Sequence, residues 1–211
     1  MKELVIFGAW YFSRVVAETA EACGWKVLGY VDPDPPQDVA TLSEVPDSAE
    51  VFVAIGDNAV RESVARELRD RGRRVATVIH PAASVSPSAR LGEGCYIAEM
   101  AVLRTNAVLG AGVVLQPGSV VSHDAQVDDF ASFGPNAACA SKVRIGRQTT
   151  VGVGASIAPG VHVGHDCTVA AGAVVFRDCE GERTLVGNPA KPTRAPRAET
   201  VQSNWSGNTV W

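Results

Sequence analysis

From Val85 to Val175 every sixth residue is apolar, sixteen in succession, beginning Val85, Leu91, Ile97, Leu103 and ending Val163, Val169, Val175. With about 45–50% apolar residues expected in a globular chain, such a run arises by chance with a probability on the order of 10⁻⁵. Four residues after each of these positions the side chain is usually small, as at Ala89, Ala101, Ala107, Ala125, Ala137 and Ala155. A helix requires a period of about 3.6 residues and an ordinary strand a period of about two. A six-residue repeat instead suits a short strand followed by a turn, and three such sides close one triangular coil. Stacked coils pair their backbones and direct the large and small apolar positions into a shared interior. Glycine directly after the large residue, as at Gly110, Gly134, Gly146 and Gly152, relieves crowding where the chain bends. The spacing predicts a parallel β-helix of about five coils.

This repeat, with the closing segment Gly187-Asn188-Pro189-Ala190-Lys191-Pro192, resembles the hexapeptide-repeat acyltransferases. The resemblance implies a left-handed coil, an exception to the usual right-handed crossover. It also implies acetyl-CoA or another acyl-CoA as donor, and a homotrimer with active sites shared between subunits.

Upstream of the repeat the period changes. Leu4 to Gly8 reads as a buried strand and Phe12 to Cys23 as a helix with Val15, Val16 and Ala20 on its inner face, ended by Gly24. Lys26 to Val31 is a second strand closed by Asp32-Pro33, with a proline-rich loop at Pro33 to Pro36. Val51 to Ile55 is a third strand, followed by a helix from Asn58 to Arg71 capped by Asn58. Val75 to Ile79 reads as a fourth strand. The alternation predicts a small parallel α/β unit of Rossmann type. The expected organisation is a Rossmann-like acceptor-binding domain over residues 1–80, a β-helix acyltransferase domain over 81–194, and a polar, aperiodic, mobile tail over 195–211.

Composition narrows the function classes. A chain of 211 residues with 46% hydrophobic content can bury a substantial core, and a net charge of −4 without a basic stripe argues against nucleic-acid binding. The five cysteines form no C-x-x-C pair, and Cys95, Cys139 and Cys167 fall on interior positions as small hydrophobes. No metal site is expected. Neither a signal peptide nor an apolar stretch long enough to span a bilayer is present, which predicts a cytoplasmic protein without a membrane partner.

In a Rossmann-type unit ligands gather at the carboxyl ends of the strands, which singles out the loop after Gly8, Asp32 and Gly56. The first loop reads Gly8-Ala9-Trp10-Tyr11-Phe12-Ser13-Arg14 and lacks the glycines of a phosphate cradle. The α/β unit followed by the coil is similar to the bacterial sialic-acid O-acetyltransferases and nucleotide-amino-sugar N-acetyltransferases. In that branch the first loop usually reads G-A-S-G-H-G and helps hold the nucleotide sugar. Here Trp10, Tyr11 and Phe12 replace its small residues, while Asp32 and Gly56 match positions that contact the sugar nucleotide. The aromatic residues either pack at a domain interface or stack on a planar part of the acceptor.

Acyl transfer to an amine or hydroxyl requires a base, a role suited to histidine. His80 and His162 read as turn residues. His123 and His165 are each third in a hexad and each followed by aspartate. Three hexads make a coil, so rows recur every eighteen residues: His123 lies between Thr105 and Ser141, and His165 follows Asp129 and Arg147 in what reads as a surface charge ladder. The resemblance points the same way, because the family's H-E pair aligns with His123-Asp124, with Asp124 orienting the imidazole. It further assigns donor contacts to Ser132, where the family usually carries histidine, and to Val153 and Ala171, which share a row with Pro135. Exposed apolar residues such as Val102, Val108, Val114, Val120 and Phe130 need cover, which a trimer supplies. The expected activity is direct, general-base-assisted N- or O-acyl transfer to a sugar, nucleotide-linked in the first instance. A non-sugar acceptor and a non-catalytic trimeric scaffold are the alternatives.

Overall fold

The structure, a computed structural model, describes residues 2–8, 11–32 and 45–193. It begins with β1 (Glu3–Phe7), α1 (Tyr11–Ala22), β2 (Lys26–Val31), β3 (Glu50–Val53) and α2 (Asn58–Asp70). The three strands form a parallel sheet of order β2-β1-β3. From β1 the consecutive apolar residues Leu4, Val5, Ile6 and Phe7 are buried, as expected of a strand covered on both faces. On α1 the buried side is Ser13, Val16, Ala17, Thr19 and Ala20. Val15, expected on that side, is 44% exposed, because the helix turns its Val16–Ala20 stripe, not its neighbour, onto the sheet.

The second helix is capped by Asp57 rather than Asn58. Asp57 has extended backbone and its side chain accepts from Val60 N at 2.9 Å, which satisfies one of the unpaired donors of the first turn. Asp57→Ala is therefore expected to cost about 1 kcal/mol, read as a lowered urea midpoint with an unchanged slope.

The strand read as Val75 to Ile79 belongs to two sheets. Val75 bridges to Val51, whereas β4 (Val78–Ile79) pairs with Tyr96–Ile97 and opens the solenoid. From there strands of two residues recur on three faces. The first face runs through Tyr96–Ile97, Val114–Leu115, Ser132–Phe133, Thr150–Val151 and Thr168–Val169, the second from Ser84–Val85 to Val174–Val175, and the third from Arg90–Leu91 to His162–Val163. Six strands stack on the second face, where the periodic series both begins at Val85 and ends at Val175, and β4 adds a strand on the first face ahead of the series, so the solenoid has about six turns against the five expected. The hairpin of Thr184–Val186 and Lys191–Thr193 closes the far end.

The interior is the periodic set: Ile97, Leu103, Leu109, Leu115, Phe133 and their successors pack with Ala101, Ala107, Ala125, Ala137 and Ala155. Turning is done by a position the periodicity did not reveal. Every sixth residue from Gly94 to Gly172 has positive φ, including Asn106, Asp124, Phe130 and Asp166. The glycines after the large residues serve close approach instead: a Cβ on Gly146 would stand 2.4 Å from His165 N of the next coil.

The α/β unit lies against the first face. Tyr96 and Val114 pack with Val16, Ala20 and Phe52, and Phe130 packs with Val53, Ala65 and Leu68. Val114 and Phe130 are therefore covered within the chain and do not require a second subunit. Val102, Val108 and Val120 remain at least partly exposed.

Candidate active site

The same local structure builds two histidine–aspartate pairs. In each, histidine occupies the third hexad position and aspartate the recurring left-handed position, φ 58° at Asp124 and 53° at Asp166, a conformation that aspartate tolerates. The turn brings the carboxylate back onto the preceding ring. His123 Nδ1 lies 2.9 Å from Asp124 Oδ2, and His165 Nδ1 lies 2.7 Å from Asp166 Oδ2. A carboxylate partner holds the proton on Nδ1 and leaves Nε2 with the lone pair a base needs.

Their surroundings differ. Asp124 N bonds Thr105 O and Lys142 N bonds His123 O, so the His123 row does run from Thr105 to Ser141. This imidazole is 52% exposed at the corner between the second and third faces. Asp124 takes a second bond from Asn106 Nδ2 at 3.1 Å, and the bonds from His123 and Asn106 hold its carboxyl below the usual carboxylate value. A depressed folded value means that this pairing is in place above the usual carboxylate range and is lost as pH falls through the lowered value. Asp124 therefore keeps its charge, and its hold on the ring, down to a pH below the usual carboxylate range. Asp124→Asn is expected to lower kcat by about 10- to 100-fold with the KM for both substrates little changed, measured across the pH–rate profile.

His165 sits at the opposite end of the third face, and its ring lies over Gly181, where a Cβ would meet Nε2 at 2.7 Å. Its neighbour in the row, Arg147, is committed to Glu62 of α2 at 2.6 Å. The Nε2 edge of this ring thus faces the Gly181 backbone, while the side chain as a whole is 55% exposed.

The expected donor residues divide. Pro135, Val153 and Ala171 stack at the corner between the first and second faces, linked by Gly154 N to Pro135 O and Gly172 N to Val153 O. Val153 and Ala171 are exposed, and a Cβ on Gly154 or Gly172 would meet nothing within 4 Å. The corner is an exposed strip free of large side chains at these positions. Ser132 lies apart from it, 2% exposed, with its hydroxyl donating to Asn58 Oδ1 at 2.6 Å and accepting from Arg61 Nη2 at 3.1 Å. Its hydrogen-bonding capacity is spent inside the chain.

Where the acceptor is expected, Gly8 N bonds Val31 O and Ala54 N bonds Phe7 O. These bonds gather Gly8, Asp32 and the segment leading to Gly56 at one edge of the sheet. Tyr11 is 68% exposed beside that edge. Phe12 instead meets Tyr96 of the solenoid edge-on, centroids 5.3 Å apart, the interface packing that was one of its two readings. Trp10 and residues 194–211 lie outside the described residues.

Cys95 and Cys139 do not compete for a nucleophilic role: burial pushes their thiols up to about 12. Among the described residues no cluster of histidine, cysteine and carboxylate side chains could hold a metal ion, and no helix is long and apolar enough to cross a membrane. Sequence reasoning missed Tyr96, Asn58 and Arg61, which sit at strand or helix positions with no periodic signature of burial.

Residues 3–68 match the PglD N-terminal domain, and residues 142–177 match the bacterial transferase hexapeptide of six repeats. GDP-perosamine N-acetyltransferase of Escherichia coli O157:H7 is 31% identical over 100 residues, 47% of this chain and 45% of that enzyme, so the aligned part spans less than half of that relative. A histidine-to-alanine variant of GDP-perosamine N-acetyltransferase from Caulobacter crescentus, solved with CoA and GDP-perosamine, is 35% identical with a TM-score of 0.87. That match covers 92% of this chain and 97% of the other. The acetyltransferase domain of PglB from Neisseria gonorrhoeae FA1090, solved with acetyl coenzyme A, is 32% identical with a TM-score of 0.83, covering 91% and 99% of the two chains.

Proposed function

Since the chain belongs to the nucleotide-amino-sugar N-acetyltransferase family of left-handed β-helix, hexapeptide-repeat enzymes, we propose that it transfers the acetyl group of acetyl-CoA to the amino group of a nucleotide-linked amino sugar. The observation that carries this reading is the His123–Asp124 pair on a solenoid corner, with Nδ1 held by the carboxylate and about half of the imidazole side chain exposed.

His123 Nε2 takes the proton of the attacking amine as the new C–N bond forms and the thioester C–S bond breaks, and the proton passes on to the departing sulfur. Asp124 keeps the imidazole in the required tautomer and steadies the imidazolium. Acetyl-CoA supplies the activated acyl group, and the Pro135–Val153–Ala171 strip would hold its arm. Asp32, Gly56 and Tyr11 would hold the acceptor. No covalent enzyme intermediate is needed, so rate comes from the base and from positioning.

Topology favours a site shared between chains. The α/β unit covers the first face, whereas His123 lies on the corner across the prism from that face, between the second and third. A homotrimer would bring the His123 corner of one subunit to the donor strip of another, and Val102 and Val120 on the second face would be covered there. The deciding experiment is a coenzyme A release assay with acetyl-CoA and GDP-, UDP- and dTDP-linked amino sugars. Acceptor-dependent release is expected with one or more of them; release no faster than thioester hydrolysis with all of them, and with free amino sugars, would sink the reading.

A further inference from the structure

The first turns of α2 carry a buried charge that the transfer chemistry leaves unused. Arg61 is 1% exposed. Its Nη1 donates to both carbonyls of the loop after β3, Ile55 O at 3.0 Å and Gly56 O at 3.1 Å. In the other direction Nε donates to Gly112 O at 3.1 Å and Nη2 to Phe130 O at 3.0 Å, on successive coils of the solenoid. Asn58 Oδ1 and Ser132 Oγ are further acceptors, so every N–H of the guanidinium is engaged. Asn58 is saturated as well: its Nδ2 donates to Gln148 O and Thr150 Oγ1, while its Oδ1 accepts from Arg61 and Ser132. Burial lowers the guanidinium to about 10, which leaves it charged at neutral pH.

As a means of joining two layers this is an inefficient choice, because apolar residues of similar volume commonly stabilise a buried site as well as charged ones do. What a guanidinium adds is direction. Its planar fork fixes several acceptors at once in one plane, and two of those acceptors are the carbonyls of the loop that ends in Gly56. Gly112 O, Phe130 O and Ser132 Oγ belong to the coils, and Asn58 Oδ1 to the first turn of α2 itself.

We propose that Arg61, held by Asn58 and Ser132, is a positioning residue for the acceptor: it locks the Gly56 loop to the solenoid, so that the acceptor edge of the sheet keeps one fixed place relative to the coils. This rests on the acceptor reading given above and adds the residue that sets the loop's place. It also moves Ser132 from the donor's side of the reaction to the acceptor's.

Arg61→Lys keeps the charge and removes the fork, and Ser132→Ala removes one member of the network at smaller structural risk. For both variants in the full-length assembly, the KM for the acceptor is expected to rise by roughly tenfold or more, while the KM for acetyl-CoA stays within about twofold of wild type. A merely structural role would lower the melting temperature and leave both constants of the folded fraction unchanged, which overturns the proposal. A rise confined to the acetyl-CoA constant in Ser132→Ala overturns it too, and if Arg61→Lys does not fold, Ser132→Ala decides. Titration with GDP, UDP and dTDP separates this inference from the reading beneath it. Binding of one of them by wild type and equally by the variants sinks the positioning role alone, and binding of none by wild type sinks the nucleotide-linked acceptor and the positioning role together.

Discussion

Replacement of His123 by alanine is expected to lower kcat by about 10²- to 10⁴-fold, with CoA affinity and melting temperature unchanged. The ring is half exposed and its side-chain partner is Asp124, so truncation leaves no buried group unpaired. The backbone bond from Lys142 N to His123 O survives the change and keeps the turn. His165→Ala is the internal comparison, because it removes a ring in a nearly identical pair. With that ring lying over Gly181, its loss should leave kcat within about threefold of wild type. Stopped-time CoA release for the two variants reads both effects, and inactivation by His165→Ala instead of His123→Ala would reverse the assignment.

Phe133→Ala is the substitution expected to cost most in stability, about 3–5 kcal/mol. Phe133 is fully buried in the solenoid interior between Leu115 and Val151 of the adjoining coils. Those coils cannot close over the space it leaves, since Gln116 N bonds Phe133 O and Gly134 N bonds Val151 O on either side. The loss should appear in urea unfolding at fixed protomer concentration, a control that matters if subunit association contributes to stability. Because each coil contacts only its neighbours, the variant should also show earlier amide exchange in the strands next to Phe133 than at either end. A loss below about 1 kcal/mol would mean that the interior repacks.

The periodic apolar set made the solenoid legible, and the eighteen-residue row made the stacking of Thr105, His123 and Ser141 legible with it. Local signals were less dependable where two elements compete for one segment. Val75 to Ile79 is apolar enough for a strand in either sheet, and the chain divides it, Val75 to the α/β sheet and Val78–Ile79 to the first coil. Asn58 and Asp57 are both good caps, and the choice fell on Asp57 because Asn58 is drawn to Gln148 and Thr150 some ninety residues away. The left-handed turn position passed unnoticed because residues as different as Gly94, Met100, Asp124 and Phe130 occupy it.

What the sequence determined by itself was the repeating coil, its interior, and the two histidine–aspartate pairs that the hexad places on its corners, because all of these depend on neighbours at fixed short separations. Tertiary structure alone decided which face the α/β unit covers, and with it the burial of Tyr96, Val114, Phe130 and Ser132 and the engagement of Arg61. Those outcomes depend on contacts between groups dozens of residues apart, where a side chain's fate is set by what is packed onto it and not by its own hydropathy. An arginine on a polar helix and a serine on an outward strand position carry no mark of burial until the two surfaces meet.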